Sequence, residues 1–189
     1  MLGTALETIA RAHADGREPI VSVNFVASQL QGPAAADKIL SMIADAGVPA
    51  SALCIEVTEN VVLRRAGGPI VECLERLREA GVKVALDDFG TGYASLVHLR
   101  DLPADVLKID RSFVAQLADD ASSRVIVQAV VALASGLGKR VVAEGIETGV
   151  QLDLVKVLGC DYGQGYLLGR PAPWGEIAHA PSLALATGG

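Results

Sequence analysis

The chain has 189 residues, of which 51% are hydrophobic and only 4% aromatic, and its formal net charge is −6. This length suits one domain with an aliphatic core, as buried parallel strands and their covering helices provide. The negative charge argues against polymeric nucleic acid as a partner. No signal peptide opens the chain and no apolar run reaches membrane-spanning length, so we expect a cytoplasmic protein without a membrane partner.

Helices and strands alternate along the chain. Apolar spacing and glycine stops predict helices over residues 2–14, 33–46, 69–80, 93–99, 122–138 and 148–158, with Ser122 or Ser123 capping the fifth and Thr148 the sixth. Apolar runs between them predict strands over residues 20–25, 52–57, 82–86, 106–109, 139–143 and 162–167. This alternation indicates a parallel sheet, either an open doubly wound sheet or a (β/α) barrel. No glycine-rich phosphate loop follows the first strand, which weakens the dinucleotide-binding alternative.

Two adjacent carboxylates, Asp87 and Asp88, stand where the third predicted strand ends. Adjacent side chains of a strand point to opposite faces, so the two can converge only if the backbone turns there, which Gly90 and Gly92 permit. Paired hard oxygen ligands suit Mg²⁺ or Mn²⁺. The alternative is a turn in which one aspartate caps the following helix.

Every predicted strand carries a polar residue, which lies at or near the carboxyl end of the first five strands and within the sixth. These residues are Asn24, Glu56, Asp87 with Asp88, Lys108, Glu144 and Gln164. In a barrel the carboxyl ends share one face, which holds the chemistry. Carboxylates gathered there repel one another unless cations lie between them, and two divalent metals would suit phosphoester hydrolysis. Lys108 could orient the attacking water or balance developing charge, although an exposed lysine is the alternative.

Six segments resemble successive motifs of EAL domains, bacterial phosphodiesterases that hydrolyse cyclic di-GMP. The segments are Val23-Asn24-Phe25, Ile55-Glu56-Val57-Thr58-Glu59, the run from Asp87 to Leu96, Leu107-Lys108-Ile109-Asp110, the run from Val142 to Thr148, and Gln164-Gly165-Tyr166. The resemblance covers residues 2–173. It implies a TIM-barrel-like fold in which one strand runs against the others.

The resemblance also implies roles for individual residues. Asn24, Glu56 and Asp87 would bind one Mg²⁺ or Mn²⁺, Asp87 and Asp88 would meet the second, and Glu144 would belong to the same cluster. Lys108 and Gln164 would hold the catalytic water, and Glu59 would anchor the loop that follows Asp88. Residues 93–101 correspond to a segment through which such domains often dimerise.

The Glu-Ala-Leu tripeptide that names the family is missing from these 189 residues, and so is one metal ligand. We therefore expect an N-terminally incomplete barrel of about six strands over residues 1–175, followed by a tail over 176–189. The expected activity is two-metal hydrolysis of cyclic di-GMP to linear pGpG, weak or absent in this form. A non-catalytic cyclic di-GMP receptor and a protein-interaction module are the alternatives, and open barrel edges favour a homodimer or a partner protein.

Overall fold

A computed structural model describes residues 1–59, 61, 68–90, 100 and 102–177, and the side chain of Pro33 lies outside the description. The described residues form two compact units. Unit one holds residues 1–86, 100 and 102–104, and unit two holds residues 87–90 and 105–177. The predicted helical turn over 93–99 and most of the predicted dimerisation segment fall outside the described residues.

Unit one alternates helices and strands in the predicted order. Its elements are α1 (Leu2–Ala14), β1 (Val21–Asn24), α2 (Pro33–Asp45), β2 (Leu53–Thr58), α3 (Pro69–Glu79) and the first four residues of β3 (Lys83–Phe89). The strand order is β1-β2-β3. β1 and β2 are parallel, with Val21 opposite Leu53 and Asn24 opposite Glu56. β2 is buried along its first five residues, as expected for a parallel strand with both faces covered.

Unit two begins with the last three residues of β3 and continues the alternation. It contains β4 (Val106–Ile109), α4 (Arg111–Gln116), α5 (Ala121–Gly136), β5 (Arg140–Ala143), α6 (Gly149–Val157), β6 (Tyr162–Gly163) and the short α7 (Trp174–Ile177). β5 pairs in parallel with β4 on one side and β6 on the other. The carboxyl ends of these strands therefore lie at one edge of the unit.

Two strand boundaries differ from the sequence predictions. β3 continues through Asp87 and Asp88 to Phe89, where the prediction ends it at residue 86. β6 has only two residues, where the prediction gives six, because the chain turns after Gln164 and Leu168 N–H donates to the Gly165 carbonyl at 3.0 Å. Gln164 therefore follows β6, and the prediction that it lies within the strand is wrong.

The helix caps confirm one prediction and correct another. Thr148 caps α6 as predicted, and its hydroxyl accepts from the Gln151 N–H at 3.2 Å. The predicted serine cap of α5 is wrong. The cap is Asp120, whose carboxylate accepts from the N–H groups of Ser122 and Ser123 at 3.0 and 2.8 Å. Each carboxylate oxygen thus accepts from one of the first N–H groups of the helix, which have no partner within it.

The core is aliphatic, as the composition predicts. Cys54, Cys73 and Cys160 are buried free thiols of this core. Among the helices of the described ranges, none combines the length and apolarity needed to cross a membrane.

Candidate metal centre

Three carboxylates converge in unit two, at the carboxyl ends of its strands. Asp87 and Asp88 come from β3, and Glu144 directly follows β5. Each offers an oxygen within 4.8 Å of the oxygens offered by the other two. Asp87 and Glu144 are half-buried, and Asp88 is exposed. Three of the predicted metal ligands therefore lie within the span of one coordination sphere.

The backbone of Asp88 explains how neighbouring aspartates in a strand reach one place. Asp88 has φ of +55°, a left-handed conformation that aspartate tolerates better than most residues. Its N–H donates to Oδ1 of Asp87 at 3.2 Å. The change of direction therefore occurs at Asp88 inside β3, and not first at the following glycines as the sequence suggests.

Lys108 supplies the cation of this cluster. Its side chain is 7% exposed, and Nζ lies 3.0 Å from Oδ1 of Asp87 and 2.8 Å from Oε1 of Glu144. Leu107 and Ile109 on either side of it are also buried. The prediction of a buried, inward-facing lysine is confirmed, and the alternative of an exposed lysine is excluded.

Electrostatics at Asp88 reveal a fourth carboxylate, Asp110. Partial burial, followed by the charges of Asp87 and Asp110, raises the pKa of Asp88, and Lys108 opposes this shift only in part. Partial burial would also raise the pKa of Asp110, but hydrogen bonds from the side chain and backbone of Ser112 outweigh it and lower the pKa.

Sequence reasoning gave Asp110 no role, although it ends the segment Leu107-Lys108-Ile109-Asp110 directly after β4. That position, at the carboxyl end of a strand beside a buried lysine, is the signal that could have identified it. Asp110 also caps α4 by accepting from the Ser112 N–H at 2.9 Å. It therefore fixes the start of α4 while adding negative charge beside Asp88.

Backbone hydrogen bonds hold the neighbouring strand ends in place. Glu144 N–H donates to the Ile109 carbonyl at 3.2 Å, and Gln164 N–H donates to the Ala143 carbonyl at 2.8 Å. Gln164 therefore lies next to the chain that carries Glu144, with an exposed side chain. Its amide is available to bind water or a ligand.

The remaining predicted site residues lie in unit one. Asn24 and Glu56 are register partners on β1 and β2, so their side chains project from the same face of the sheet. Asn24 is exposed, and Glu56 is 7% exposed. Glu59 is 3% exposed, and its Oε2 finds no hydrogen-bond partner within the described ranges. The loop that Glu59 is predicted to anchor begins at Gly90 and continues into residues outside the description.

The donor set of unit two fits a divalent cation. Its ligands are all carboxylate oxygens, which hard cations such as Mg²⁺, Mn²⁺ and Ca²⁺ prefer, whereas a zinc site would draw on histidine or cysteine. Mutual repulsion of Asp87, Asp88 and Asp110 is the condition that a bound cation relieves. The geometry therefore supports the prediction of an acidic metal-binding cluster.

A family comparison agrees with this geometry. The family model described as "EAL domain" matches residues 1–171. The chain belongs to the EAL domain family. The resemblance in the six sequence segments and the predicted TIM-barrel-like fold class are thereby confirmed.

Individual EAL proteins show how far the similarity extends. The bifunctional diguanylate cyclase/cyclic di-GMP phosphodiesterase MucR of Pseudomonas aeruginosa is 43% identical over 161 residues, which cover 85% of this chain and 23% of that protein. The solved structure "PaMucR Phosphodiesterase, c-di-GMP complex" matches 93% of this chain and 71% of its own with a TM-score of 0.87 and 38% identity. A manganese/cyclic di-GMP complex of Klebsiella pneumoniae BlrP1 matches 90% of this chain and 43% of its own, with a TM-score of 0.80 and 30% identity. The chain thus spans about a quarter of the length of its curated EAL relatives.

Proposed function

We propose that this EAL domain hydrolyses cyclic di-GMP to linear pGpG with the help of two divalent cations, Mg²⁺ or Mn²⁺. The observation that carries the proposal is the convergence of Asp87, Asp88 and Glu144 around the buried ammonium of Lys108. An acidic cluster that also presents a fixed cation suits a substrate whose phosphodiester is anionic and whose attacking group is a water molecule.

Asp87, Asp88 and Glu144 would hold cations, as their converging carboxylate oxygens support. Asn24 and Glu56 are proposed as further ligands on the family resemblance. Bound cations would lower the pKa of a water molecule and polarise the phosphate oxygens. The domain in this proposal spans residues 1–175, and residues 176–189 form a tail.

The other polar residues are proposed to stabilise charge, to orient water and to anchor a loop. Lys108, already 2.8 Å from Glu144, keeps one cationic donor next to the reacting phosphate and stabilises the charge that develops there. The exposed amide of Gln164 orients water from the neighbouring strand end. The family resemblance gives Glu59 the role of anchoring the loop that follows Asp88. Its Oε2 atom is buried and has no hydrogen-bond partner among the described residues.

Turnover by the 189-residue chain is proposed to be weak or absent. The sequence contains no Glu-Ala-Leu tripeptide, whose glutamate the family resemblance makes a further ligand of the first metal. Loss of one ligand from a cluster that stabilises a transition state lowers both metal affinity and rate.

The proposal is tested by metal-linked melting together with product analysis. Mn²⁺ should raise the melting temperature, because a ligand that binds only the folded state stabilises it. Asp87→Asn should lose most of that rise, and the exposed Glu176→Gln variant should keep it. Chromatography should then detect slow formation of pGpG, which Glu144→Gln abolishes, at a rate below that of the MucR phosphodiesterase domain.

Each outcome of this experiment has a definite meaning. An undiminished rise in Asp87→Asn would remove Asp87 from the metal site. Binding of cyclic di-GMP without product would support the receptor alternative, and a failure to bind it with either cation would reject the proposed function. Turnover equal to that of the MucR domain would show that the missing glutamate is dispensable.

We also propose that the chain self-associates or binds a partner protein. In the described sheet, β1 and β6 each have one neighbouring strand, so each leaves a row of backbone donors and acceptors for another chain. The family resemblance makes residues 93–101 a second proposed contact for self-association.

A further inference from the structure

The turn that follows β6 presents an aromatic–arginine stack. The guanidinium carbon of Arg170 lies 4.5 Å from the centre of the Tyr166 ring. Tyr166 is 56% exposed, and Arg170 is exposed as well. A cation over a ring face gains only modest energy at an exposed position, so the contact does little for the fold. It does place the guanidinium group over the Tyr166 ring.

The backbone under this stack is tightly fixed. Gly165 lies so close to Ile146 that a Cβ at position 165 would overlap the Ile146 backbone. Ile146 N–H donates to the Gln164 carbonyl at 3.0 Å, and Leu167 N–H donates to the Ile146 carbonyl at 3.0 Å. Gly169 N–H closes the turn by donating to the Gly165 carbonyl at 3.1 Å. Tyr166 thus sits between two backbone anchors.

The anchor also places the stack beside the acidic cluster. Ile146 is two residues beyond Glu144, a backbone span of at most roughly 7 Å. Gln164, which we assign to the site, directly precedes the Gly165 that contacts Ile146. A ligand bound at Glu144 and Gln164 would therefore lie next to the chain segment that carries Tyr166.

Arg170 is available for such a ligand. It forms no ion pair with any residue in the described ranges, and the chain as a whole carries a net charge of −6. A guanidinium carries its N–H donors in its own plane, so the contact with the ring face leaves them able to bind a ligand. A planar pair of donors matches the O6 and N7 acceptors of guanine, whereas adenine presents an amino group in place of O6.

We propose that Arg170, held over the ring of Tyr166, reads the O6/N7 edge of a guanine base of the substrate and so selects guanine over adenine. This inference rests on the proposed function, because it takes the substrate to be a cyclic dinucleotide with its phosphate at the acidic cluster. Arg170 is the specificity-determining residue, and Tyr166 is a positioning residue that acts through it.

The test compares affinities for cyclic di-GMP and cyclic di-AMP by calorimetry in the presence of Mn²⁺. The wild-type chain should favour cyclic di-GMP, and Arg170→Lys should reduce the ratio of the two dissociation constants by about tenfold, since an ammonium cannot make the bidentate contact. Tyr166→Phe should keep the ratio, because the ring remains, and Tyr166→Leu should lower it. Tyr162→Leu, the same change at an exposed tyrosine on β6 itself, should keep it.

The Mn²⁺-induced rise in melting temperature separates this inference from the proposed function. It should be unchanged in Arg170→Lys and Tyr166→Leu, which would exclude simple damage to the fold or to the metal cluster. A wild-type chain that binds both nucleotides equally, or an Arg170→Lys chain with the wild-type ratio, would overturn the inference and leave the function standing. A wild-type chain that binds neither nucleotide would overturn both.

Discussion

Replacement of Lys108 by methionine tests the electrostatic basis of the acidic cluster. The change keeps the length of the side chain and removes the ammonium that lies 3.0 Å from Asp87 and 2.8 Å from Glu144. At an effective dielectric constant of about 20, each contact carries roughly 6 kcal/mol of gross Coulomb energy. Desolvation of the three groups offsets most of this attraction, and loss of one partner of a buried pair costs about 3–5 kcal/mol net.

The lower end of that range applies here. The side chains of Asp87 and Glu144 remain 15% and 18% exposed, so water can relax around the carboxylates that lose their partner. A loss of about 3 kcal/mol corresponds to a fall of roughly 6–12 °C in melting temperature for a chain of this size. Lys38→Met, at an exposed position on α2, should change the melting temperature by no more than about 2 °C.

Melting with and without a divalent cation distinguishes this electrostatic explanation from a loss of packing. In EDTA the Lys108→Met chain should show its full deficit, whereas saturating Mn²⁺ should narrow it, because the cation takes over the neutralisation of Asp87 and Glu144. Calorimetric melting of the wild type and both variants, with and without Mn²⁺, gives the comparison. A deficit that is the same in both conditions would refute the reasoning and assign the loss to packing alone.

Two further predictions concern charge and assembly. Burial and the charges of Asp87 and Asp110 raise the pKa of Asp88, so the stability of the metal-free chain falls as pH rises through that raised value. Asp88→Asn, which suits the same left-handed backbone, should therefore melt higher than the wild type in EDTA at about pH 7.5. The difference should shrink towards about pH 4, and a difference that stays constant with pH would contradict this. Light scattering at micromolar concentration should detect species larger than the 19.5 kDa monomer, because β1 and β6 are edge strands, and a clean monomer would exclude self-association.

The sequence predicts strands well where burial alone determines them. β4 lies at residues 106–109 as predicted, since a short apolar run around Lys108 leaves little choice of boundary. It predicts β6 poorly, because residues 162–167 carry enough apolar side chains for a strand but turn at Gly165 against Ile146. That contact joins residues far apart in sequence, and no local pattern reveals it.

In the candidate site, too, the sequence predicts which residues take part better than it predicts their geometry. Asp87, Asp88, Glu144 and Lys108 are predictable because each is a polar residue that interrupts or ends an apolar strand. The direction of their side chains depends on the left-handed backbone of Asp88, which the sequence attributes instead to the glycines after it. Asp110 is missed because its approach to Asp88 brings together the ends of two separate strands, which no local pattern reveals. The short helix that Asp110 caps, Arg111–Gln116, is also absent from the sequence predictions.

The three buried thiols make the protein convenient for site-specific labelling. Burial raises the pKa of Cys160 to about 12 and also raises the pKa of Cys73, so both remain unreactive thiols at neutral pH, and Cys54 is 5% exposed. A cysteine introduced at the exposed Ser122 would therefore react with a maleimide dye far faster than the native thiols do. The wild-type chain already provides the background that fluorescence studies usually create by removing cysteines, with its core left intact.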